Sequence, residues 1–435
     1  MRVFFTLLHR YLGLSIAVFL IITGLTGAII SWDHELDELL NPHLLEASTA
    51  GTPQSATRLA HRVEQQYPEV QVTYYETAAE LGHSYAYWVE PRVNPQSGEL
   101  YRPGFNQVYV DPVSGDILGK REWGAVWPIS RENFVSFLYK LHFSLHIPEF
   151  KDIHWGVLLL GIIALAWTVD CFVGFYLTLP RRRRKHSVSQ VRGDQSRSNQ
   201  SYWQRWKPAW KIRRKASSYK LNFDLHRAFG LWTWLLLFVI AFTGFSLNLY
   251  REVFFPVMSL VSDVTPTPID NRIPSGHHNP IKANFGFEKA IALGAEQGRE
   301  RNWQAPVGSL WYAREFGVYR LEFFAPVDGH GAGGVGHKAI YIDAKTGDYL
   351  GDWLPWQGSA ADIFVQAQFP AHSGRILGLP GRILISVMGV VVAMLSVTGI
   401  IIWLRKRRAR FVVQRRQPRY AVNDISFNYA ADQSD

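Results

Sequence analysis

Fifteen histidines are spread along the 435 residues. Those that stand at or near the ends of long apolar stretches are His9, His34, His142, His146, His154, His226 and His372. A ligating or ionisable side chain is costly to place at the edge of a bilayer, so such positions are read first as functional. Imidazole is a common metal ligand. Other reactive groups are sparse. The single cysteine, Cys171, lies inside an apolar stretch and can form no internal disulfide. Its neighbour Asp170 is the one carboxylate within such a stretch. No nucleophile constellation and no metal-spaced cysteine set is present. The glycine-rich stretch 329–337, with His330 and His337, reads as a flexible loop that could touch a substrate, whereas His277 and His278 read as solvated loop residues. It is not a phosphate cradle, because no helix follows it.

The elements that must position these histidines are membrane helices. About 20 apolar residues cross the hydrocarbon core, and four stretches qualify: about Tyr11 to Trp32, Trp155 to Leu179, Ala228 to Tyr250 and Ile383 to Leu404. The first is too long for a signal-peptide core, and Trp32-Asp33-His34-Glu35 is no cleavage site, so it is expected to be retained. Charge sets the sidedness. The loop 181–225 carries 14 Lys/Arg against 2 Asp/Glu and the tail 405–435 carries 8 against 3, whereas 33–153 has 9 against 17 and 251–379 has 11 against 13. Basic segments stay cytoplasmic. Both termini and the 181–225 loop are therefore expected inside, and the two long segments outside. The net charge of +10 thus marks topology; nucleic-acid binding is a poor alternative, because the arginine runs abut apolar spans.

The chain also repeats itself. Leu8-His9-Arg10-Tyr11-Leu12-Gly13-Leu14 matches Leu225-His226-Arg227-Ala228-Phe229-Gly230-Leu231, and Thr26-Gly27 and Thr243-Gly244 follow without a gap. Asp111-Pro-Val-Ser-Gly115-Asp116-Ile-Leu-Gly119 matches Asp343-Ala-Lys-Thr-Gly347-Asp348-Tyr-Leu-Gly351. Spans two and four each carry a glycine near the basic end, Gly174 and Gly399. A parallel duplication places its halves around an axis along the membrane normal, so equivalent histidines should face each other at equal depth. The implied units are 1–33, first span; 34–153, outer domain; 154–180, second span; 181–225, basic loop; 226–250, third span; 251–379, outer domain; 380–404, fourth span; and 405–435, tail.

Within each outer segment the patterning is α+β. Ala56, Leu59, Ala60, Val63 and Tyr67 recur at helical spacing, followed by alternating stretches at 70–74, 84–89 and 107–110 and a turn at Asp111–Gly115. The second segment has a helix at about Phe287–Gly298 and strands near Ser309–Tyr312, Val318–Phe323 and Ala339–Ile342. The helix, the strands and Val108-Tyr-Val-Asp-Pro-Val-Ser-Gly-Asp-Ile-Leu-Gly119 resemble a PepSY domain. Leu8-His9-Arg10-Tyr11-Leu12-Gly13-Leu14 with the later Leu25-Thr26-Gly27 resembles the PepSY-associated transmembrane family. His372-Ser-Gly-Arg-Ile-Leu-Gly-Leu-Pro-Gly-Arg382 is similar to its last-helix lead-in. The resemblance runs from Phe5 to about Arg408 and implies an α-helical membrane bundle of four transmembrane helices with two α+β PepSY-like extracytoplasmic domains. It further implies two haem b groups held by histidines, and reduction of ferric siderophore on the periplasmic side of the bacterial inner membrane.

Under that expectation His9 and His226 hold the cytoplasmic-side haem iron, with Arg10 and Arg227 placed for its propionates; the plain alternative is interfacial histidines beside snorkelling arginines. The outer iron falls to His372 with His142, or with His146 one helical turn further on. Pro148 and Pro380 suggest a short surface helix leading into spans two and four. His34 and Asp170 are candidates to support the ligands; Asp170 could bond a ligand imidazole, carry a proton, offset haem charge or make a helix-packing bond. Trp123, Trp127, Trp353 and Trp356 are expected as interfacial anchors or as the floor of a substrate cleft. The expected partners are the lipid bilayer, a ferric siderophore and a cytoplasmic or membrane electron donor. Two other readings stand beside this one: a relay to another periplasmic acceptor, and a haem-free PepSY binding or sensor protein.

Overall fold

The computed structural model describes residues 1–151, 153–181, 200–326 and 331–416. The basic run at 182–185, the tail beyond 416 and His330 lie outside the described residues. Among the described residues three helices are long and apolar enough to cross a membrane: Arg2–Ile30, Trp155–Thr178 and the long helix Gly378–Arg416. A fourth crossing is possible as a bent pair, Ser218–Trp232 and Trp234–Asn248, which meet at 71°. The third apolar stretch is thus not the single straight helix its composition predicts. Neither glycine nor proline causes the break. The Thr233 hydroxyl donates to the Phe229 carbonyl, and the bend lets the Trp234 indole donate to the Cys171 carbonyl at 2.9 Å. The same ring packs on Phe175 with centroids 4.9 Å apart.

The first and fourth spans cross at small residues. A Cβ on Gly24 would lie 2.6 Å from the Gly389 carbonyl oxygen, and one on Gly389 would lie 2.3 Å from that of Gly24. In lipid, where apolar side chains gain little by leaving the acyl chains, such close backbone approach is a main source of helix association. Short helices lead into spans two and four, Phe134–Ser144 and Gln368–Ser373.

The two outer segments share one antiparallel sheet of eight strands: β1 Val70–Glu76, β2 Tyr85–Pro91, β3 Gln107–Val110, β4 Ile117–Arg121, β5 Val307–Ala313, β6 Val318–Phe323, β7 Lys338–Asp343 and β8 Tyr349–Trp353. Their order is β4-β3-β2-β1-β5-β6-β7-β8. The halves therefore meet at β1 and β5, with Tyr74 opposite Trp311, Tyr75 opposite Leu310 and Glu76 opposite Ser309. Helices Ala56–Gln66 and Phe287–Glu300 share a single core with the sheet. Leu59, Ala60, Ala290, Leu310, Leu321 and Ile340 in it are fully buried, and the Tyr75 and Phe287 rings meet across the seam at 5.4 Å.

The repeated turns are built alike. Asp111 Oδ1 accepts from the amides of Val113 and Ser114, and Asp343 Oδ1 from those of Lys345 and Thr346. Gly115 and Gly347 follow with φ of 73° and 84°, a region that glycine enters without strain. Burial alone would raise both carboxyls. The Thr49 hydroxyl and amide donors at Asp111, and Arg272 with the amides at Asp343, outweigh it and hold both below the ordinary range.

Candidate functional site

Four of the histidines singled out by sequence form two pairs, and each pair takes one member from each repeat. His9 on the first span faces His226 on the inner half of the bent pair, with ring centroids 6.1 Å apart and planes at 55°. His142 on the lead-in to span two faces His372 on the lead-in to span four, again at 6.1 Å, with planes at 54°. The first pair lies toward the chain termini and the second toward the sheet.

Each ring is held by the other span of its own repeat, on one plan. His142 Nδ1 donates to the Thr23 carbonyl at 2.9 Å and lies 3.1 Å from Thr26 Oγ1. His226 Nδ1 donates to the Leu395 carbonyl at 3.0 Å and lies 3.0 Å from Thr398 Oγ1. His372 Nδ1 lies 2.9 Å from Thr243 Oγ1. Each of these threonine hydroxyls donates to the carbonyl four residues back, at Ile22, Met394 and Val239, so each can accept from the imidazole. His9 Nδ1 donates instead to both carboxylate oxygens of Asp170, at 2.9 and 3.0 Å. A carbonyl or carboxylate can only accept, so Nδ1 carries the proton and Nε2 keeps its lone pair.

Glycine makes room beside each ring. A Cβ would come within 2.8 Å of His142 Cε1 at Gly27, 3.5 Å of His9 Cε1 at Gly174, 3.5 Å of His372 Cε1 at Gly244 and 3.3 Å of His226 Cε1 at Gly399. Thr26-Gly27 and Thr243-Gly244 were visible as repeated dipeptides. Their role was not, because the imidazole each one holds is more than a hundred residues away.

Between the spans on the sheet side lies a cavity of about 320 Å³, lined by His142, His372 and Trp167. Asp33, Tyr139 and Arg375 also line it, and Arg375 Nη2 lies 3.5 Å from Asp33 Oδ1. Burial, with Asp33 nearby, raises the Tyr139 hydroxyl above its ordinary value, so it stays a donor. Sequence reading did not single out these three residues as a group.

Other expectations fare differently. His146 does not share a helical face with His142. The lead-in helix ends at Ser144, and Leu145 and His146 turn into the left-handed region with φ of 55° and 53°. The His146 ring stacks on Phe137 at 4.6 Å and bonds its carbonyl. The Arg227 guanidinium donates to Asp224 and to the Pro208 carbonyl, and that of Arg10 lies over the Tyr11 ring. Asp33, not His34, lines the cavity. Trp127 is exposed, Trp123 packs between Trp88 and Tyr139, and a Cβ on Gly333 or Gly336 would touch Trp356 or Trp353.

The centroid spacing of each pair fits a metal between two imidazoles. Bonds of about 2.0–2.1 Å to each Nε2 put the two ring centroids about 6.3 Å apart, against the 6.1 Å found twice. Among the described residues no group of three or more His, Cys, Asp or Glu is disposed to hold a bare ion. No curated protein matches the chain. The PepSY-associated TM region matches residues 6–406, nearly the whole length, and the chain therefore belongs to the PepSY-associated transmembrane family.

Proposed function

We propose that this membrane protein is an electron carrier of the bacterial inner membrane that binds two b-type haems, one at each histidine pair, and reduces ferric siderophore on the periplasmic face. One observation carries the reading: two cross-repeat imidazole pairs have the same 6.1 Å separation, with every Nδ1 engaged by a neighbouring span. Bound haem supplies one-electron chemistry between ferric and ferrous iron.

The chain's own residues do the rest. His9 and His226 would hold one iron, His142 and His372 the other. Thr26, Thr243, Thr398, Asp170 and the backbone carbonyls fix the tautomer and aim of each ring. Gly27, Gly174, Gly244 and Gly399 let the rings lie against the helices. Tyr139 and Arg375 are the donors available to a carboxylate-bearing edge at the sheet-side cavity. The basic loop and tail support a cytoplasmic terminal end and a periplasmic sheet. A ferric chelate that gains one electron becomes ferrous and is held less tightly by hard oxygen donors, so the iron is released and the chelator survives.

Purified full-length protein should show paired visible bands on reduction and a haem count near two. His226→Ala and His372→Ala should each lose one haem and keep the other. The dithionite-reduced protein, kept anaerobic, should be reoxidised by at least one of a panel of ferric siderophores. A colourless, folded protein would refute the carrier; a reduced protein that no ferric siderophore reoxidises would refute the substrate alone.

A further inference from the structure

The four imidazole clamps follow one plan with one exception. Around His142, His226 and His372 the facing span offers a Thr-Gly pair, at 26–27, 398–399 and 243–244. At His9 the corresponding pair is Val173-Gly174, and the acceptor is the carboxylate of Asp170. The repeat counterpart of Asp170 is Leu395. A Cβ on Gly13 would lie 3.9 Å from Asp170 Oδ2, and a Cβ on the equivalent Gly230 would lie 4.0 Å from Leu395 Cδ2. The two side chains thus occupy matching places about the pseudo-twofold axis, one anionic and one apolar. Asp170 is 7% exposed and is the only charged residue of the helix Trp155–Thr178.

We propose that Asp170 is a positioning residue that sets the direction of electron flow, making the His9–His226 site the weaker electron acceptor of the two. The inference rests on the haem reading above. A carboxylate bonded to a ligand imidazole makes that ligand more basic, and its negative charge, in a region of low dielectric, favours the more positive ferric state. His142 and His372 have only neutral acceptors, so the sheet-side site gains no such term. One electron given to the terminal side then passes toward the sheet: the first site is oxidised, the second is reduced, and no proton moves.

The test is a redox titration followed by visible absorption on the full-length protein, with His226→Ala used to identify the component that belongs to the terminal side. In Asp170→Asn that component should shift to higher potential by at least tenfold in its equilibrium constant, about 59 mV for a one-electron couple. The sheet-side component should stay where it is. The double variant Asp170→Leu with Leu395→Asp, which keeps one carboxylate in the bundle, should return the low component, now through His226; it carries the test if Asp170→Asn fails to accumulate. Two bound haems whose terminal-side potential is unmoved in Asp170→Asn, or is raised in the double variant, would overturn this inference and leave the carrier standing. A wild-type protein that takes up no haem would overturn the carrier first.

Discussion

Replacing glycine by alanine beside the histidines should separate the two sites, because the room differs. At Gly27 the new Cβ would stand 2.8 Å from His142 Cε1, so the ring must retreat by about 0.6 Å to reach the 3.4 Å where ordinary contact begins. That retreat stretches the 2.9 Å bond from Nδ1 to the Thr23 carbonyl to the limit of a hydrogen bond. A bond of this kind contributes about 0.5–1.5 kcal/mol, and loss of a support to a metal-bound imidazole typically weakens the metal site about 10–100-fold. Helix propensity opposes the damage, since alanine in place of glycine favours a helix by about 0.8–1.0 kcal/mol. The protein should therefore fold normally and lose affinity at one site only. Gly174→Ala is the control: its Cβ would sit 3.5 Å from His9 Cε1, in ordinary contact. Haem titration into apoprotein should show Gly27→Ala weakening the sheet-side site about tenfold and Gly174→Ala leaving both sites near wild type. Equal losses from the two variants, or a greater loss from Gly174→Ala, would refute the reasoning.

Three further outcomes follow from other parts of the molecule. Leu310 is fully buried at the seam between the halves, so Leu310→Ala should cost about 2–5 kcal/mol and lower the melting temperature of the sheet, read by circular dichroism. Arg382 donates a hydrogen bond to Glu35, which holds the Glu35 carboxyl at about 2, well below the ordinary 4.5. That stabilisation is complete above about pH 4.5 and is lost as pH falls toward 2; because the side chain is half exposed, the effect should be modest. Melting curves of wild type and Glu35→Gln should therefore differ most at neutral pH and converge in acid. His146→Ala should leave haem content unchanged, since its ring is spent on Phe137; loss of one haem in that variant would reverse the choice between His142 and His146.

Much of the architecture was legible because hydrophobic length and charge segregation are strong local signals, and because the repeat at His9 and His226 aligns without a gap. What escaped is physically instructive. β4 and β8 are short edge strands that contain Gly119 and Gly351 and are mostly half exposed, so they lack the alternation that marks a strand. The pairing of β1 with β5 joins residues more than 230 positions apart, and no local pattern encodes it. The bend at Thr233 has no glycine or proline to announce it. His146 was misplaced by extending a helical period past Ser144, where the backbone changes region. The bond from Asp170 to His9 spans 161 positions; only the oddity of a carboxylate in an apolar helix pointed toward it.

Each histidine pair draws one imidazole from each repeat, so a single copy of the repeat presents only half of either site. The arrangement is that of a symmetric dimer of two identical subunits written into one polypeptide. In such a dimer every substitution appears twice, and the two rings of a pair must remain chemical equals. Joining the copies end to end removes that constraint. A carboxylate at position 170 with a leucine at the equivalent position 395 is a difference that only the fused chain can hold.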